Sequence, residues 1–121
     1  MNTKYYLEQF RDLKIDKDQL YSMVSPSAHL SRPVMFDRFN VLHALRYLQH
    51  YQLSPEEFID WVNVLWFKDA WFSFPEDEAD CLSSIMDEIQ EIEEQKLDID
   101  EELLKKYIFA LEHNLDVNEL L

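Results

Sequence analysis

Residues 53–67 read LSPEEFIDWVNVLWF, and this stretch decides the fold class. Ser54 offers a side-chain oxygen to the orphan N–H groups at a helix start, Pro55 suits the first helical position, and Glu57 completes a capping box. Phe58, Ile59, Trp61, Val62, Leu65, Trp66 and Phe67 follow, leaving little polar surface. A helix apolar nearly all round belongs at the centre of its bundle. This segment is therefore expected to be the core helix.

Helical spacing continues on both sides. Tyr6, Leu7, Phe10 and Leu13 recur at helical intervals between Thr3 and Leu13. Asp16 and Gln19 form a capping box for a short second helix carrying Leu20, Tyr21 and Val24. Residues 25–33 (SPSAHLSRP) read as the one substantial loop. From Val34 to Tyr51 the pattern is helical again, with Phe39, Val41, Leu42, Leu45 and Leu48 facing inward. After the aromatic connection 68–75 (KDAWFSFP), Ser73 and Glu76 repeat the capping-box spacing. A long helix is expected from about Glu76 to Lys96, with Leu82, Ile85, Met86, Ile89 and Ile92 on one face. Asp98 or Asp100 caps a last helix bearing Leu103, Leu104, Tyr107, Ile108 and Leu111, and residues 116–121 either add a final turn or fray. The expected fold is all-α: one domain spanning residues 1–121, a bundle of five or six helices without a sheet.

Composition agrees. The chain has 121 residues, 47% of them hydrophobic, enough for one real core and too apolar for a disordered acidic chain. It contains no glycine, where a usual content of about 7% would supply about eight. Tight hairpins would have to rely on Asn or Asp, which disfavours a β-rich fold. The same absence excludes a P-loop, a dinucleotide fingerprint and an EF-hand loop. No apolar run approaches the roughly 20 residues of a membrane span, and the N-terminal stretch lacks the apolar region of a secretory signal. With Cys81 as the single cysteine, a soluble cytoplasmic protein is expected.

The net charge of −14 is unevenly placed. Residues 1–54 hold seven Lys or Arg against five Asp or Glu, whereas residues 76–102 hold thirteen acidic residues and one lysine. At about 100° per residue, Glu76, Asp80, Asp87, Glu91 and Glu94 share a sector opposite the Leu82–Ile89 stripe, flanked by Asp77 and Glu88. Like charges four residues apart cost a few tenths of a kcal/mol per pair, so helix stability does not favour the pattern. It is either a solvated face or a docking surface for a cationic protein; nucleic acid and anionic membranes are repelled. Calcium ligation is disfavoured because such sites converge from a tight loop. Trp71 and Phe72, beside this helix, either anchor a partner or join the core.

Catalysis finds no foothold. His43 and His50 are about 10 Å apart along a helix, unlike a zinc pair four residues apart, and no ligand completes the set. Cys81 has no neighbouring histidine to act as base, and no strand–turn–helix elbow presents a serine. No catalytic residue, metal or cofactor is expected.

The layout around Leu53, Ser54, Glu57, Phe58, Asp60 and Trp61, followed by an acidic helix and then DIDEELLKKYIFALE, resembles small helical bacterial immunity proteins of the colicin D type and of contact-dependent inhibition systems. The likeness covers about residues 40–112. It implies an acidic antitoxin that docks on a basic nuclease toxin and covers its active site. The acidic helix followed by a Tyr-Tyr motif, found in inhibitors of colicin DNases, has no counterpart here. The alternative expectation is an acidic adaptor or regulatory protein that binds a basic segment of another host protein.

Overall fold

Six α-helices make up the bundle: α1 (Thr3–Arg11), α2 (Lys17–Met23), α3 (Arg38–Gln49), α4 (Pro55–Phe67), α5 (Ala79–Glu94) and α6 (Glu101–His113). The structure is a computed structural model that describes residues 2–120. Short 3₁₀ turns at Glu76–Glu78 and Val117–Glu119 precede α5 and follow α6.

The central helix is α4. Ser54 Oγ accepts the Glu57 N–H at 3.1 Å while Glu57 Oε1 accepts the Ser54 N–H at 3.0 Å, so both orphan donors are satisfied. Phe58, Trp61, Val62, Val64 and Leu65 are buried, and the helix packs against α1, α3 and α5. Trp61 Nε1 donates to the carbonyl of Phe10 at 3.0 Å, binding the end of α1 to α4. The Asp16 capping box forms as its spacing indicates, and a further one forms at Asp37 and Asn40 ahead of α3.

The expectation of no sheet is corrected. Val34–Met35 (β1) and Phe72–Ser73 (β2) pair as a two-stranded parallel sheet. The Val34 N–H donates to Trp71 O at 2.7 Å and the Phe36 N–H to Ser73 O at 2.8 Å. Two connections cross the core here, burying Val34, Phe36, Trp71 and Phe72, and buried backbone must find partners. This pairing shortens α3, which begins at Arg38 rather than near Val34. It also engages Ser73, so the Ser73–Glu76 capping box does not form, and α5 starts at Ala79 without a side-chain cap. On α3 the inward residues are Val41, Leu42, Ala44 and Leu45, whereas Phe39 is 54% exposed.

Helix ends show what the lack of glycine demands. Leu13 (φ 64°), Tyr51 (φ 60°), Lys96 (φ 56°) and Asn114 (φ 55°) all occupy the left-handed region. Lys14, Gln52 and Leu97 donate N–H bonds back to Gln9, Tyr47 and Ile92 at 2.8–2.9 Å, the pattern of a Schellman motif. Three of these positions use residues with no intrinsic tolerance of that conformation, at about 1–2 kcal/mol each. At the chain's end, the Val117 N–H donates to buried Ser84 Oγ at 3.1 Å, which fixes the final turn on α5.

Candidate functional site

The inner face of α5 buries Cys81, Leu82, Ser84, Ile85, Met86 and Ile89. A helix buried on one side carries its remaining positions outward, and Asp80, Asp87, Glu91 and Glu94 are exposed there. Glu76 and Asp77 extend the exposed acidic surface over the preceding 3₁₀ turn. Among the described residues, none of these six carboxylates lies within 4.0 Å of a Lys, Arg or His nitrogen. The last turn of α5 contains no basic residue, so its carboxylates also face the negative end of the helix dipole.

Other acids of the same region are engaged in the fold. Glu88 accepts the Tyr107 hydroxyl at 3.2 Å and lies 3.9 Å from Lys106 Nζ, which withdraws it from the open surface. Burial, with Glu88 second, pushes the Tyr107 phenol well up from its usual range. Glu93 receives the Asn63 amide at 3.4 Å. Glu78 holds the most connected position: its Oε1 accepts the Arg38 N–H at 2.8 Å and its Oε2 lies 3.5 Å from Arg38 Nε. The Arg38 Nη1 also donates to the carbonyls of Leu111 and Glu112 at 2.7 and 3.0 Å, at the C-terminus of α6. Sequence reading passed over this clamp, because forty positions separate its two side chains and neither stands in a motif.

Trp71 and Phe72 are corrected as partner anchors. They are 1% and 3% exposed, and Trp71 Nε1 donates to Ala28 O at 2.9 Å, holding the 25–33 loop against the core. The exposed aromatics lie elsewhere: Tyr51 is 96% and Phe67 60% exposed.

No protein-family model, curated protein or solved structure matches the chain.

Burial raises the Cys81 thiol to about 11, outweighing the pull of Arg38 in the other direction, and its Sγ donates to Ala110 O at 3.5 Å. The thiol is thus kept protonated and away from solvent. His43 packs on Tyr47 and His113 on Phe109, each with ring centroids 4.5 Å apart. Among the described residues no three His, Cys, Asp or Glu side chains gather as a metal site. Among the described residues no helix is long and apolar enough to cross a membrane.

Proposed function

We propose that this protein is a cytoplasmic immunity protein that binds a basic bacterial toxin, of nuclease type, through the outer face of α5, and acts by binding alone. One observation carries the reading: the carboxylates divide into those that hold the fold together and those that do not. Glu78 and Glu88 are paired, while Glu76, Asp77, Asp80, Asp87, Glu91 and Glu94 are exposed and, among the described residues, have no cation within 4.0 Å. An uncompensated field of one sign accelerates encounter with an oppositely charged surface, and a toxin that grips phosphate presents such a surface.

The test is a search for a basic toxin encoded beside this protein and measurement of its association by stopped-flow at several salt concentrations. The on-rate is expected to fall at least about tenfold between low and physiological salt. The Asp87→Lys/Glu91→Lys variant should lose affinity while its helical circular dichroism is retained. If that variant binds as tightly as the wild type, the assignment is overturned. Capture of a basic segment from a host protein, with no neighbouring toxin, would favour the adaptor reading instead.

A further inference from the structure

The end of the bundle where α5 finishes carries a groove. One part, of about 610 Å3, lies between the first turns of α4 and the last turn of α5, and its apolar lining comes from Leu48, Ile59, Ile92, Leu97 and Ile99. A second hollow of about 580 Å3 shares Leu48, Pro55 and Ile99 with the first and opens beside Tyr51. Carboxylates outnumber cations at the rims: Glu56, Asp60, Glu93 and Asp98 on one part and Glu57 and Glu101 on the other, with Lys96 beside them. Lys17 is paired to Asp60 at 3.2 Å and Lys105 lies 3.9 Å from Glu101, which leaves Glu56 and Asp98 without a cation within 4.0 Å among the described residues. Leu97 is 58% exposed and Tyr51 almost wholly so.

Two connections frame this groove, α3 to α4 and α5 to α6, and each is tied at both ends. The Schellman bonds of Gln52 and Leu97 end α3 and α5, while Ser54 and Asp100 cap α4 and α6. Tyr51 and Lys96 are held in the left-handed region at its edges. A cleft fixed in this way costs little further ordering when it is filled. Its chemistry, an apolar floor under an acidic rim, is complementary to an amphipathic cationic segment. Charge opposes a second copy of this chain, whose net charge is −14, and opposes nucleic acid.

We infer that this groove seats a cationic amphipathic segment of the protein partner, with an apolar side chain on Leu97 and Ile99 and lysine or arginine against Glu56 and Asp98. The inference rests on the proposed docking of a basic protein: the α5 face steers, and the groove supplies the desolvated contact.

Two labelled peptides of equal positive charge test it, a leucine–lysine peptide with helically spaced leucines and an oligolysine. The full-length protein is followed by 1H–15N spectra and by titration. The leucine–lysine peptide should bind at least about tenfold more tightly, the effect of burying one leucine, and should shift Leu48, Ile59, Leu97 and Ile99. Leu97→Gln and Tyr51→Asn leave charge unchanged and alter exposed positions only; together they should abolish that preference but preserve oligolysine binding. Equal affinities, or shifts confined to the outer face of α5, overturn the groove while leaving the docking face intact. Oligolysine binding that is indifferent to Asp87→Lys/Glu91→Lys overturns the docking face instead. Concentration-dependent dimerisation abolished by Leu97→Gln would assign the groove to a second copy and overturn the inference.

Discussion

At the scale of single residues, the chain's most unusual trait is its use of side-chain-bearing residues where helices usually end in glycine. Lys96 is exposed, and its left-handed φ of 56° serves the turn rather than a side-chain contact. Lys96→Gly should therefore stabilise the fold by about 1 kcal/mol, less the entropy glycine adds to the unfolded chain. A thermal melt should show a rise of a few degrees, and an unchanged or lower midpoint would contradict it. Cys81 makes the second residue-scale prediction. Its thiol is raised from 9.0 to about 11 in the fold, so the unfolded chain ionises first as pH rises. The unfolded state then binds fewer protons, and stability falls between pH 9 and 11. The loss is up to about 2–3 kcal/mol, and Tyr107, shifted in the same direction by burial, adds to it at higher pH. Urea titrations across that range should show a smaller loss in Cys81→Ala.

At the scale of elements, α5 combines two arrangements that oppose each other. Its inner face packs as well as any helix in the bundle, with Leu82, Ile85, Met86 and Ile89 fully buried. Its outer face places Asp87 four residues before Glu91 and brings Glu91, Glu93 and Glu94 to the negative end of the helix dipole. Packing pays for the charge. Replacing Asp87 and Glu91 by lysine should consequently raise stability, by about 0.5–1.5 kcal/mol at low salt, while weakening partner binding. Chemical denaturation and affinity measurements on one protein sample check both signs together. A stability loss would mean these carboxylates support the fold, and the docking assignment would lose its basis.

At the scale of the whole molecule, one ion pair sets the acidic helix against the rest of the bundle. Arg38 joins the first turn of α3, the last carbonyls of α6 and Glu78 ahead of α5. Replacing it by methionine strips the Glu78 carboxylate and those carbonyls of their partner in a site largely shielded from water, at about 2–4 kcal/mol. The double variant Arg38→Met/Glu78→Gln should lose less than the single one, since glutamine carries no charge and can still accept the backbone N–H of position 38. Equilibrium unfolding of both variants measures the difference.

How much of this was legible beforehand follows from the range of the forces involved. The class of fold, the central place of residues 55–67, the caps at Asp16 and Ser54, and the outward acidic stripe all arise within a few residues, so periodicity and capping chemistry determine them locally, while the choice of Asp100 over Asp98 as the last cap came with the structure. The parallel pairing of residues 34–35 with residues 72–73 required tertiary structure, because backbone donors and acceptors carry no sequence signature. So did the burial of Trp71 and Phe72, and the separation of Glu78 and Glu88 from the acids left in solvent. The sequence by itself determined that this protein carries a concentrated acidic surface on a helix. Tertiary structure alone decided which carboxylates remain free, because that depends on which distant cation or hydroxyl the packing brings within reach.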